Sequence, residues 1–409
     1  MDSQLTPRPL SHAVSDIPII QPQTVAEMAD AIRELATSGK SIAVQGSGTK
    51  WGMGAARAEH TDKLIMLKTG QLRGVSEYDP GELTITAGAG TLLSEVTELL
   101  AKNGQYLPFD PLYSDSLPSA TLGGTVGAGL SGPRRLRYGG LRDFVIGIHY
   151  LDSAGTLIKA GGKVVKNAAG YDYPKLFCGS LGTLGVITQV SFKVFPRPET
   201  SQTLLAVLPS ISALQSAFQQ VTRSKAEISA ADAWRSVPAD AISASPQPAL
   251  TGDWTLAVQI DGLRDSISAR LDMIQKLLPA ATPTSRVNGE PEMQLWETLR
   301  DVRWIDTPHT VLRFYLVSDQ VMALDRLLDQ FAVQRVYSLA GNAAWGVMSG
   351  DPSVLSDGLA ALGIKASVWR TMQTNTPEIL PVLPAFGLVT RLKKAFDPND
   401  LFYPGRYAT

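Results

Sequence analysis

Residues 44–56, VQGSGTKWGMGAA, set Gly46, Gly48, Gly52 and Gly54 around Ser47, Thr49 and Lys50, directly after the short apolar run 42–44. Consecutive main-chain N–H groups in a tight turn converge on an anion, and glycine permits both φ > 0 and the close approach of a ligand. Ser47 and Thr49 add hydroxyl donors. The chemistry this pattern suits is the holding of a phosphate. A Walker A loop does not fit, because Gly-Lys-Ser/Thr is absent. A Rossmann fingerprint does not fit either: the third glycine falls one place late, and 51–57 carries no helix start. Alone, the segment is equally compatible with a plain tight turn between strands.

Two further stretches change that balance. PSATLGGTVGAGLSG, 118–132, carries five glycines, and GSLGTLGVI lies at 179–187. A glycine-rich β domain full of bulges would account for the glycines one by one. A single extended diphosphate ligand, touched by main chain at several points, accounts for all three stretches together. FAD has that shape, with flavin, pyrophosphate and adenosine laid end to end.

The elements that must hold these stretches can be read from period and punctuation. Thr24 to Glu27 is a capping box, followed by Val25, Met28, Ile32 and Leu35 at helical spacing and by Gly39 as a stop. Residues 41–45, 63–67, 83–87 and 184–196 read as strands, and 143–160 as a hairpin about Ser153-Ala154-Gly155. Residues 91–104 read as a helix with Thr91 as cap, whereas 105–143 carry few regular signals. Past residue 200 glycine thins out. Strand-like runs (LLAVLP, TLAVQI, VLRFYLV, AWGVMS) alternate with the amphipathic helices of 211–224, 264–279 and 320–333, and a last helix near 379–395 precedes the tail.

Composition bounds the function classes. The 409-residue chain is 44% apolar with a net charge of −1, which supports large cores and gives no electrostatic pull toward nucleic acid or anionic lipid. The single cysteine, Cys178, cannot build an internal disulfide, a four-cysteine zinc site or an iron–sulfur cluster. No secretory leader pattern or apolar run of membrane-spanning length is visible, so the expected location is cytoplasmic, with any membrane contact made through partners.

The strings VQGSGTKWG, LGGTVGAGLSGPRRLRYGGLRDFVIGI, VVKNAAGYDYPKLFCGSLGTLGVIT and FDPNDLFYPGR together resemble the FAD-binding domain of the vanillyl-alcohol oxidase/p-cresol methylhydroxylase superfamily, and within it the glycolate oxidase and D-2-hydroxyacid dehydrogenase branch. The resemblance implies an α+β fold: a two-subdomain FAD-binding domain over 21–198 after an N-terminal extension, 1–20. An α/β cap domain of antiparallel sheet and helices would cover 199–375, and a C-terminal helix and tail, 376–409, would return to the FAD domain. It implies that Gly46, Ser47, Gly48 and Thr49 form a first pyrophosphate loop. Leu122, Gly123, Gly124, Ala128 and Gly129 would pass the pyrophosphate and flavin. Gly179, Val186 and Ile187 would lie near the adenosine half, and Tyr138 and Arg406 toward the flavin end.

Departures from the branch are informative. Its metal motif, Gly-Asp-Gly-Asn-x-His, has its nearest counterpart in LAGNAAWGVMSGD, 339–351, which lacks histidine, and His12, His60, His149 and His309 are widely separated. No metal site is therefore expected. The glutamate of the family's GSEG string is Leu181 here, and the asparagine of its TNAGG stretch is Gly129. No His or Cys stands where covalent flavin would attach, so FAD is expected to be non-covalent. A short, histidine-poor chain with these strings, with LWETLRDVRW at 295–304, is similar to the E-type subunits of bacterial glycolate oxidase (glycolate dehydrogenase). That likeness implies a homologous D-type FAD subunit and an Fe–S subunit as partners, glycolate as the 2-hydroxy acid oxidised and no identified catalytic residue of this chain's own. Two other readings stay open: a stand-alone, metal-free FAD-dependent oxidase of a 2-hydroxy acid or alcohol, and a flavin-free assembly subunit.

Among single residues, Cys178 is expected to be a buried inert thiol and His149 structural. Of Arg134, Arg135, Arg137 and Arg142, most are expected to be solvated or in ion pairs, with one facing flavin or a carboxylate. Lys163 and Lys166 are phosphate contacts or exposed, and Trp304, Trp345 and Trp369 are expected in the core.

Overall fold

The computed structural model describes residues 17–53, 63–113, 119–162, 171–235, 254–281, 284–305, 309–371, 379–381, 387–404 and 406. Lys163, Lys166, His12, His60 and Gly54 fall outside them.

The first helix, Val25–Thr37, starts as its sequence dictates: the Thr24 hydroxyl accepts from Glu27 N at 3.2 Å and Glu27 returns to Gln23 N at 2.9 Å. Met28, Ile32 and Leu35 bury its apolar stripe. Strand Ser41–Gln45 follows, and the parallel sheet is completed by Leu64–Lys68 in the centre and Ile19–Ile20 at the far edge. A second, five-stranded antiparallel sheet runs in the order Val75–Asp79, Thr84–Gly88, Val186–Lys193, Val145–Leu151, Leu157–Gly161. Between its strands lie the helices Leu93–Ala101 and Leu122–Ala128. Phe109, Phe144 and Phe192 stack in the core beneath them, with centroids 5.7 Å apart in two of the pairs. Burying each such ring contributes about 1.5–3 kcal/mol.

Two local expectations change. The cap of helix Leu93–Ala101 is Leu92, not Thr91, whose hydroxyl is taken by Gly74 N at 2.9 Å. The glycine-rich 122–128 stretch is a helix, although each glycine disfavours that state by about 1 kcal/mol. Thr121 caps it, accepting from Gly124 N at 3.3 Å, and Gly129 closes it at φ +66°. Small residues are needed here, since a Cβ on Gly123 would stand 2.8 Å from Ala89 Cβ.

Residues from 200 onward build a nine-stranded antiparallel sheet. Its order is Thr284–Val287, Thr200–Leu208, Trp254–Gly262, Ala230–Trp234, Gln334–Ser338, Ala343–Met348, Thr310–Tyr315, Lys365–Arg370, Ile379–Leu380. The last strand lies past the expected cap boundary at 375. Helices Ile211–Arg223, Arg264–Leu277 and Val321–Gln330 bury their stripes against one face in the largest apolar cluster. The other face meets helix Gly289–Arg300 and Leu112 of the N-terminal half.

The chain then returns. Asp397, 1% exposed, accepts from Leu401 N at 3.0 Å and Phe402 N at 2.7 Å, reversing the backbone after helix Gly387–Phe396. Residues 401–403 come alongside the first parallel sheet, with Ile42 N to Leu401 O and Tyr403 N to Ile42 O both 2.7 Å. This is the physical content of FDPNDLFYPGR: it delivers Arg406 to the glycine loop. Among the described residues no helix is long and apolar enough to cross a membrane.

Candidate functional site: a donor-lined cleft between three glycine stretches

The three glycine stretches meet. Gly179 N donates to Val126 O at 3.0 Å and Leu181 N to Gly127 O at 2.8 Å. A Cβ on Gly129 would stand 2.8 Å from Gly179, and one on Gly46 only 2.0 Å from Thr121 Oγ1. Backbone therefore packs on backbone, and a cleft opens along the seam. Its walls come from 44–51, from Thr121, Gly123, Gly124, Gly127 and Ala128, from Leu181, Gly182, Gly185 and Ile187, and from Arg406.

Strand Ser41–Gln45 ends at Gly46, and Gly48 turns the chain at φ +81°, a conformation that disfavours any side chain. The main-chain N–H groups of Gly46, Ser47, Gly48 and Thr49 have no partner among the described residues. Lys50 Nζ donates to Leu112 O at 3.1 Å. Burial pushes this amine down to about 8, against the opposing pull of Asp301. Arg406, 5% exposed, donates from Nε to Met53 O at 3.1 Å and lies 4.5 Å from the Tyr403 ring centroid. Among the described residues, Lys50 and Arg406 are the charged members of the lining, with no carboxylate beside them. Gly127 is buried and helical, yet a Cβ there would meet nothing within 4 Å. Unpaired N–H groups, two cations and a helix wall stripped of side chain suit an anionic, elongated ligand such as a dinucleotide diphosphate.

Of the residues singled out from sequence, Gly46, Ser47, Gly48, Thr49, Gly123, Gly124, Ala128, Ile187 and Arg406 line this cleft. Gly179 and Arg406 line a neighbouring 410 Å³ cavity against helix Gly387–Phe396. Leu122 and Val186 are core residues, 1% and 0% exposed, and Gly129 packs on Gly179. Tyr138 lies outside the cleft lining, and its hydroxyl donates to Asp261 of the cap at 2.8 Å. Sequence reasoning left out Gly127, Thr121, Leu181, Gly182 and Gly185 as lining, and gave Lys50 no specific role. A threonine heading a run of glycines, and the residue following GSGT, were the available signals.

Cap and cleft are tied together by buried charge. Asp301 receives a two-point contact from Arg300, Nε–Oδ1 3.1 Å and Nη2–Oδ2 2.6 Å, and accepts from Tyr113 N at 2.8 Å. Arg300 also lies 4.6 Å from the Tyr113 ring centroid and 3.8 Å from Asp110. Arg134 reaches Gln259 at 3.1 Å, and at the exposed rim Arg137 pairs with Glu227 at 3.3 Å. Cys178 lies at the C-terminal end of helix Tyr173–Phe177, and burial pushes its thiol up to about 12. Among the described residues no group of three or more metal-ligating side chains forms.

Comparisons with known proteins bear on the same residues. An FAD-binding domain family model matches residues 18–161. The alkyldihydroxyacetonephosphate synthase structure superposes with a TM-score of 0.68 over 94% of this chain and 75% of that one, at 16% identity, a likeness of fold alone. The glycolate oxidase subunit GlcE of Escherichia coli is 30% identical, covering 89% of this chain and 92% of that one. The glycolate oxidase subunit GlcD of Bacillus subtilis is 32% identical over 51% of this chain and 43% of its own. The family model and these relatives make the chain an FAD-binding oxidoreductase, to which the fold adds an antiparallel cap. Within that class, the chain belongs to the family of the glycolate oxidase subunit GlcE.

Proposed function

We propose that this chain is the FAD-binding E-type subunit of a glycolate-oxidising complex, holding a dissociable FAD in the donor-lined cleft. The observation that carries this reading is the cleft's combination of unpaired main-chain N–H groups, Lys50, Arg406 and a bare wall at Gly127. When bound, FAD supplies the two-electron chemistry that takes glycolate to glyoxylate. This chain's residues supply position and field. Gly46 to Thr49 and Lys50 hold the diphosphate, Arg406 closes the wall behind them, and helix Leu122–Ala128 lets the cofactor approach the main chain. Residues 21–198 with the returning tail form the cofactor-holding part, and the cap begins at 199 and extends through Leu380.

The partners in this reading are a longer homologous D-type FAD subunit and an Fe–S subunit that carries electrons onward, with the assembly in the cytoplasm or at the inner membrane through those partners. Support for a multi-subunit setting comes from the names of the relatives, which are subunits of glycolate oxidase. Anaerobic addition of glycolate to the FAD-loaded chain, with and without the partner subunits, is the test. Bleaching of the flavin only in the reconstituted complex supports the proposal. Rapid bleaching of the isolated chain favours a stand-alone oxidase. A folded chain that takes up no FAD favours an assembly subunit.

A further inference from the structure

The cap-sheet face turned toward the FAD-binding half carries buried donors that the cofactor cleft does not use. Arg313 lies mid-strand in Thr310–Tyr315, opposite Trp345 and Ser367 on the neighbouring strands. It is 6% exposed, and its guanidinium carbon stands 4.4 Å from the Trp345 ring centroid. Its Nη1 is buried without an acceptor, and no carboxylate among the described residues comes within ion-pair distance. Asp232, whose field it feels, is already taken by Leu339 N at 3.1 Å and by the Ser338 hydroxyl.

More donors of the same kind lie close by. Trp369 Nε1 and Arg370 Nε are buried and unpaired. The Trp369 ring is 5.1 Å from that of Trp345, and Arg370 pairs in register with Val311, which shares a sheet face with Arg313. Trp304 Nε1 is also unpaired, in the apolar cluster that contains Trp345 and Leu112. Leu112 is the residue whose carbonyl accepts from Lys50 of the cleft. The group is thus donors only, walled by indole rings, and set at the junction of cap and cofactor site.

An unpaired buried guanidinium is costly to a fold, and cationic side chains so placed are ordinarily matched by an anion. Arg313 stays charged at neutral pH although burial pushes it down to about 10. A planar fork suits a carboxylate, and apolar rings beside it suit a small organic acid more than a hydrated inorganic oxyanion. We infer that Arg313, assisted by the Trp369 indole N–H, forms a carboxylate-binding subsite in the cap whose ligand is a small 2-hydroxy or 2-oxo monocarboxylate. This deepens the proposed function by giving the chain its own site for the acid, and it rests on that function only for the class of acid.

The test is titration of the full chain with glycolate, and separately with sulfate, by calorimetry and tryptophan emission. Flavin absorbance of the same samples is read independently, so loss of cofactor is distinguished from loss of the acid site. Wild type is expected to bind glycolate, with a change in emission, and not sulfate. Arg313→Met is expected to weaken glycolate binding at least tenfold while its melting temperature stays level or rises, because a buried charge with no acceptor at Nη1 is removed and the methionine keeps an apolar contact with the Trp345 ring. Trp369→Phe keeps the ring, removes the donor and is expected to weaken binding severalfold. Three results would overturn the inference: no glycolate binding by the wild type, equal binding of sulfate, or an Arg313→Met chain that melts lower and binds glycolate as before.

Discussion

Gly127 separates a cofactor wall from a packing requirement. It lies within helix Leu122–Ala128, and its Cβ position is clear of other atoms to 4 Å. Replacing it with alanine improves helix propensity and restricts the unfolded chain, worth about 0.5–1 kcal/mol. The apo protein should therefore melt at the same temperature or slightly higher. Bound FAD changes the sign. A methyl group inserted between a helix and a closely seated ligand costs about 1–3 kcal/mol, or about 5- to 150-fold in Kd. Gly46 is the contrast: its Cβ would fall 2.0 Å from Thr121 Oγ1, so Gly46→Ala should destabilise the protein with or without FAD. The assay is FAD affinity by fluorescence quenching beside thermal melts of the flavin-stripped chain. Unchanged FAD affinity in Gly127→Ala, with an intact fold, would refute the placement of the cofactor along this wall.

Lys50 makes cofactor retention depend on pH. Burial sets its amine near 8 in the free protein. The groups around it are Asp301, which is held by Arg300 and Arg303, and Arg406 across the cleft. A bound diphosphate raises the amine's pKa, so FAD uptake takes up a proton above pH 8 and affinity falls as pH rises, by up to about tenfold per unit. Lys50→Arg should flatten that profile, and titrations between pH 7 and 9.5 read it. Asp301→Asn removes the charge of Arg300's two-point partner and leaves Asp110, 3.8 Å away, as its remaining carboxylate, so it should cost about 1–3 kcal/mol by denaturant melts. Cys178, with its thiol pushed up to about 12, should resist alkylation at pH 8 in the folded chain and react once the chain is unfolded.

Local order was legible where period and punctuation agreed. The capping box before Val25–Thr37 and the Gly-bounded strands Ser41–Gln45 and Thr84–Gly88 need only neighbouring residues to be understood. The cleft was partly legible, because three glycine stretches far apart in sequence share one use. Helix Leu122–Ala128 was not, since its glycines argue locally for a loop and only the close approach to Ala89 and the cap at Thr121 make it helical. The same holds for Leu122, Gly129 and Val186, which face core or main chain although they stand beside lining residues. VLRFYLV reads only as a strand-like run, which gives Arg313 no distinction. Its lack of a partner exists only once the nine strands are ordered, and that order depends on pairings between strands far apart, such as Ala233 with Tyr337.

The most direct measurement is equilibrium titration of the flavin-stripped, full-length chain with FAD, followed by visible absorbance and by analysis after unfolding. A cleft built from Gly46–Thr49, Lys50, Gly127 and Arg406 predicts saturable uptake of one FAD per chain, released intact when the protein is denatured. A cooperatively folded chain that takes up no flavin, or one that keeps it covalently attached after unfolding, would contradict that assignment.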